Sequence, residues 1–120
     1  MLNDASGFKK VYLATGFTDL RKGVDSLVAT IVSTFNLDPF DKNTLFLFCG
    51  RRSDRIKGLL WEGDGFLLLY KRLETGAFSW PRNNSEAMEI TEEQYKLLMK
   101  GFSVVARKPI TNLGTLPVCI

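Results

Sequence analysis

Two runs of alternating side chains, Arg55–Trp61 and Phe66–Leu73, flank the segment Glu62-Gly63-Asp64-Gly65. Glycine reaches positive φ without the clash of a Cβ, so this short connection predicts a tight β-hairpin. The hairpin makes two strands antiparallel neighbours with no helix between them. It therefore argues against a doubly wound nucleotide-binding sheet, whose parallel strands need crossover helices. With Trp61 opposite Phe66, alternation places Arg55, Lys57, Leu59 and Trp61 on one face together with Phe66, Leu68, Tyr70 and Arg72. Ile56, Gly58, Leu60, Leu67, Leu69 and Lys71 occupy the other face, which is nearly all apolar and is the expected core face.

The flanking chain extends the pattern. Val11-Tyr12-Leu13-Ala14 reads as a short strand. Leu20, Val24, Leu27, Val28, Ile31, Val32 and Phe35 then recur at helical spacing, with Thr18 or Asp19 placed to cap the start and Asp38-Pro39 to stop it. Thr44–Cys49 is a continuous apolar run of the kind found in buried strands, and Phe78-Ser79-Trp80-Pro81 is a short extended piece. Thr91 and Gln94 form a capping box for a second helix over Glu92–Lys100, ended by Gly101. The order β-α-β-β-β-α predicts an α+β domain: an antiparallel sheet with a central hairpin meander and two helices packed on one face, without a parallel βαβ unit. The first helix is expected on the Ile56/Leu60/Leu69 face, with Trp61 and Trp80 flanking one cluster. Residues 1–102 are expected to form one domain, opening on a loose arm, and 103–120 an extended or flexible tail.

Composition removes whole classes of chemistry. The 120 residues suit a single domain with its own core. There is no histidine, so a Ser-His-Asp triad, histidine general base or histidine metal ligand is impossible. Cys49 and Cys119 are too few for a zinc site, and neither a bridge between them nor a structural metal is expected. No apolar run approaches the ~18 residues that span a bilayer, and Met1–Lys10 lacks a signal-peptide core. The expected setting is a reducing cytoplasm, away from membranes, with no cofactor and no small-molecule substrate.

Charge is the remaining signal. The formal net charge is only +3, but it is polarised. Between Lys42 and Arg82 eight basic residues face four acidic ones, whereas Asn83–Gln94 holds four acids and no base. Arg51 and Arg52 precede the hairpin, Lys71 and Arg72 end it, and Arg82 follows Trp80-Pro81. Arg55, Lys57 and Arg72 on one face repel one another, and two remedies are open. Asp54 and Glu74 can neutralise them in surface salt bridges, or a phosphate backbone can, with Tyr70 as a stacking surface. Thr18-Asp19-Leu20-Arg21-Lys22-Gly23 lacks the spacing of a P-loop; it reads as helix capping by Asp19, with Arg21 tethering a neighbouring carboxylate or carbonyl. Asp19, Asp54, Asp64 and Glu93 each have a structural role, so no carboxylate cluster for metal-assisted catalysis emerges.

Six blocks in order carry a resemblance: Thr18-Asp19-Leu20-Arg21-Lys22-Gly23, Phe46-Leu47-Phe48-Cys49, Arg51–Lys57, Leu60–Phe66, Tyr70–Glu74 and Phe78-Ser79-Trp80-Pro81. Together they resemble the TnpB accessory proteins of insertion-sequence family 66, products of the second open reading frame, over about residues 8–102. The resemblance implies a bacterial mobile-element protein, encoded beside a separate acid-triad transposase and serving transposition, with no catalytic residues to carry over. Cys49 and Ala77 stand where basic residues are common in that pattern, Gly58 where a bulky aliphatic is common and Leu60 where an aromatic is common.

The expectation is thus a non-catalytic factor that contacts DNA at element ends through Arg51, Arg52, Arg55, Lys57, Tyr70, Lys71, Arg72 and Arg82. The alternative is an interaction module that docks on the transposase through Trp61 and Phe66, since aromatic side chains dominate interface hot spots.

Overall fold

The computed structural model describes residues 7–83 and 85–104. Seven elements follow one another: β1 (Lys10–Ala14), α1 (Val24–Ser33), β2 (Thr44–Cys49), β3 (Arg55–Trp61), β4 (Phe66–Arg72), β5 (Ala87–Ile90) and α2 (Glu92–Met99). The five strands form one sheet in the order β4-β3-β2-β1-β5. β2, β3 and β4 are successive antiparallel neighbours, with Trp61 opposite Phe66 and Arg55 opposite Arg72. The connection closes with the Glu62 N–H donating to the Gly65 carbonyl at 2.9 Å, and Gly63 takes φ 97°.

Several expectations are corrected, beginning with the sheet. The sheet is mixed, because β1 and β2 run parallel, Val11 beside Leu45 and Leu13 beside Leu47. α1 lies between them in the chain, so β1-α1-β2 is a parallel unit not expected from the sequence; tight turns constrain only the strands they join. An unexpected strand, β5, pairs antiparallel with β1 and forms one edge.

The helices also pack on opposite faces, not on one. β2 is buried along its whole length. Its Leu45, Leu47 and Cys49 join Ile56, Leu60, Trp80 and the α2 residues Tyr95 and Leu98 in one core. Phe46 and Phe48 point the other way and meet Leu59 with the α1 residues Leu27 and Ile31. A strand covered by helices on both sides is apolar on both faces, and from Leu45 to Cys49 this one is; its first residue, the buried Thr44, is polar. α1 therefore sits on the Leu59 face, not on the Ile56/Leu60/Leu69 face. The two tryptophans belong to different sites as well. Trp80 is buried in the first core, where its Nε1 donates to the Ala14 carbonyl at 2.9 Å; Trp61 meets Phe66 edge-on, with ring centroids 4.9 Å apart and planes at 60°.

Neither Thr18 nor Asp19 caps α1. The helix starts later, with Gly23 at the N-cap and no side-chain cap, and Asn36 beyond its end has φ 57°. α2 has the full capping box: Gln94 N donates to Thr91 Oγ1 at 3.1 Å, and Thr91 N donates to Gln94 Oε1 at 2.7 Å. Val104 is buried in the α2-side core, and its carbonyl accepts from Gln94 Nε2, so packed chain continues past residue 102. The rest of the expected tail, with Cys119, lies outside the described residues, as does most of the N-terminal arm. Among the described residues no helix is long and apolar enough to cross a membrane.

Candidate nucleic-acid interface

The chain leaving β1 turns sharply at Gly16, whose φ of 80° favours glycine. The segment is tied down on both sides of Phe17. Gly16 N donates to the Pro81 carbonyl and Thr18 N to the Cys49 carbonyl, each at 2.9 Å. Arg82 completes the brace: its guanidinium donates to the Gly16 carbonyl at 2.8 Å and to Ser53 Oγ at 2.9 Å, and lies 4.4 Å from the centre of the Phe17 ring. The loop after β1 is thereby locked against the loop joining β2 to β3.

Between these loops and the open end of the hairpin lies a groove of about 890 Å³. Phe17, Asp19 and Arg21 form one wall, and Arg51 and Arg52 a second. Arg55, Lys57 and Tyr70, side by side on β3 and β4, form its floor. Five cations thus line one concavity. Lys57 Nζ donates to the Lys22 carbonyl at 3.0 Å, fastening hairpin to loop.

Two carboxylates set the charge balance. Asp19 accepts from Arg21 Nε at 3.0 Å and from Nη2 at 2.8 Å; this side-chain bond is the main reason its pKa falls to about 2. Asp54 accepts from Arg55 Nε at 3.0 Å and from Arg52 Nη2 at 3.1 Å, and the Arg55 bond lowers its pKa. The Arg21 and Arg55 guanidiniums are held above their ordinary values, each chiefly by the carboxylate it donates to. All of these groups are charged near neutral pH. Cys49 lies behind the groove, fully buried, and burial raises its thiol pKa despite Arg82 nearby. Among the described residues no cluster of three or more Cys, Asp or Glu is placed to hold a metal ion.

The expected contact residues therefore divide. Arg51, Arg52, Arg55, Lys57 and Tyr70 come together in the groove. Arg72 shares the Tyr70 face but pairs with Glu74 at 3.2 Å, at the margin. Lys71 alternates to the opposite face, the side of Leu67 and Leu69. Arg82 braces the loops from behind. Trp61 and Phe66 sit at the other end of the hairpin, where the Phe40 ring closes on them at 5.0 and 5.3 Å. Both salt bridges expected from the sequence, to Asp54 and Glu74, are formed.

Sequence reasoning missed Phe17 and undervalued Arg21. The Thr18–Gly23 block reads in sequence as a helix start, and tertiary bonds, from Thr18 N to the Cys49 carbonyl and from Lys57 Nζ to the Lys22 carbonyl, bring it beside Arg51 and the hairpin. The available signal was a large aromatic, Phe17, immediately after the glycine that ends the first strand.

Comparison with known proteins gives a consistent result. A family model described as "IS66 Orf2 like protein" matches residues 9–109. The "Uncharacterized protein y4jC" of Sinorhizobium fredii (strain NBRC 101917 / NGR234) is 33% identical over 112 residues, covering 92% of this chain and 94% of its own length. From the same organism, "Uncharacterized protein y4hO" is 38% identical over 92 residues, covering 77% of this chain and 79% of its own. No solved structure matches the chain.

Proposed function

Because the chain belongs to the IS66 Orf2-like family, whose role is that of an accessory protein associated with transposition, we propose that it is a non-catalytic factor that grips DNA through the groove. One observation carries the reading: among the described residues Arg21, Arg51, Arg52, Arg55 and Lys57 line one concavity with a single carboxylate, Asp19, in its lining, while Asp54 pairs with Arg52 and Arg55 from outside it. A site with surplus positive charge and exposed arginines suits a polyanion, which releases counterions on binding. Arg51, Arg52 and Arg55 contact phosphates, Lys57 shapes the floor, the Asp19–Arg21 pair shapes the wall, and Arg82 holds the loops in place. The free protein balances part of this charge internally, as the salt bridges to Asp54 show; a phosphate competes for the same guanidiniums.

Fluorescence anisotropy with labelled element-end DNA at about 50 and 200 mM salt tests this reading. Binding should weaken steeply with salt, and Arg51→Gln with Arg52→Gln should reduce the log–log slope by about two. Binding that ignores salt, or is unchanged in the double variant, overturns it.

A second reading rests on a separate observation. Phe40, half exposed, closes over Trp61 and Phe66 at the hairpin's turn, away from the groove. Such an aromatic cluster suits a protein partner, and the family context implies association with the element's transposase. The two readings are compatible, because they use opposite ends of one hairpin.

A further inference from the structure

The groove holds two exposed aromatic rings, one on a braced loop and one on a strand. Phe17 and Tyr70 are each 54% exposed, and both line it. Phe17 has little freedom to move. Hydrogen bonds from the amides of Gly16 and Thr18, and from Arg82 to the Gly16 carbonyl, hold the backbone on both sides of it. Arg82 and Arg51 lie 4.4 and 5.2 Å from its ring centre, so an exposed π-surface stands among guanidiniums. Tyr70 stands opposite Lys57 on the floor, beside Arg55. Cations that hold phosphates, interleaved with rings presented at fixed positions, are the two components of a single-strand site. Duplex DNA uses neither ring well, because its bases are stacked on one another and show only their edges. Neither α1 nor α2 lines the groove, so no helix is offered there to a major groove.

We infer that the groove takes unpaired DNA, with Phe17 and Tyr70 as stacking platforms for bases and Arg51, Arg52 and Arg55 holding the intervening phosphates. The inference rests on the DNA reading above and specifies the strand state. It assigns Phe17 a ligand contact and gives Arg82 a positioning role, since that guanidinium sets the ring without facing the groove.

The test compares three labelled ligands on the full chain: a single strand, its duplex, and an abasic strand of equal length that keeps the phosphates but lacks bases. The single strand should bind about tenfold or more tightly than either of the others. Phe17→Leu and Tyr70→Leu should each weaken single-strand binding by about five- to a hundred-fold, the range for losing one stacked base, and leave duplex binding nearly unchanged. Phe17→Tyr should restore most of the loss. Equal binding of the intact and abasic strands overturns the inference without any variant needing to fold. A duplex preference that persists in both leucine variants also overturns it while leaving the basic groove as a DNA site. Failure of all three ligands to bind at low salt overturns the DNA reading itself.

Discussion

Asp19 shows how one side chain reports on the groove wall. Its carboxyl titrates at about 2 in the folded chain against an ordinary 3.8, because Arg21 donates to both oxygens. A depressed carboxylate pKa means that the pair's contribution to stability is fully present above 3.8 and is lost as pH falls through about 2. Carbon NMR titration should place the Asp19 midpoint near 2, and Arg21→Gln should return it towards 3.8. A midpoint already at 3.8 in the unaltered protein would show that the pair does not form in solution. Cys49 gives a second residue-scale prediction. It is fully buried and its thiol pKa is raised, so in Cys119→Ser protein it should resist iodoacetamide until denaturant is added. Rapid native alkylation would mean that the loops over it open.

Among the elements, α2 depends on its cap and α1 on its buried face. Thr91→Ala removes the acceptor for the Gln94 amide and should cost about 0.5–2 kcal/mol in urea denaturation. Leu27→Ala should cost about 2–5 kcal/mol, because Leu27 is fully buried against the Phe46/Phe48 face. A cost near zero would contradict the placement of α1 on that side. Local signals were enough for the hairpin and for α2, because Gly63, Gly65, Thr91 and Gln94 each act within a few residues. Pairing between distant segments left weaker traces. β1 and β2 are separated by α1, and nothing in Val11–Ala14 says whether its neighbour runs parallel. β5 is a four-residue edge strand, Ala87-Met88-Glu89-Ile90, lying in an acidic stretch that lacks the aromatic and β-branched run of a central strand. The two-sided burial of β2 could be read from Leu45-Phe46-Leu47-Phe48-Cys49, which leaves no polar position for a solvent face. The hairpin's one-sided pattern instead suggested a single helical layer. In the site, Arg51, Arg52, Arg55 and Lys57 were visible through short loops and strand register. Phe17 reaches them only through bonds that span more than thirty residues.

On the scale of the whole molecule, the hairpin separates two surfaces. β3 has seven residues, so its ends lie roughly 20 Å apart at ~3.3 Å per residue. The basic groove occupies the end at Arg55 and Tyr70, and the Phe40–Trp61–Phe66 rings the end at the turn. Substitutions that far apart with no shared partner act independently. Arg55→Gln with Arg72→Gln removes one cation from the groove floor and one from its margin. Asp54 keeps Arg52 as a partner, Glu74 is largely exposed, and partly exposed ion pairs contribute little. The double variant should therefore change the urea midpoint only slightly while weakening DNA binding and its salt dependence. Trp61→Ala should do the reverse. DNA affinity should stay within about twofold, because no phosphate contact is lost, whereas capture of purified transposase should fall by about tenfold or more if the turn end is its dock. Circular dichroism of both variants separates lost binding from lost folding. If Trp61→Ala and the arginine pair each impair both interactions equally while both proteins stay folded, the two surfaces are one composite interface, and the division of labour along the hairpin is wrong.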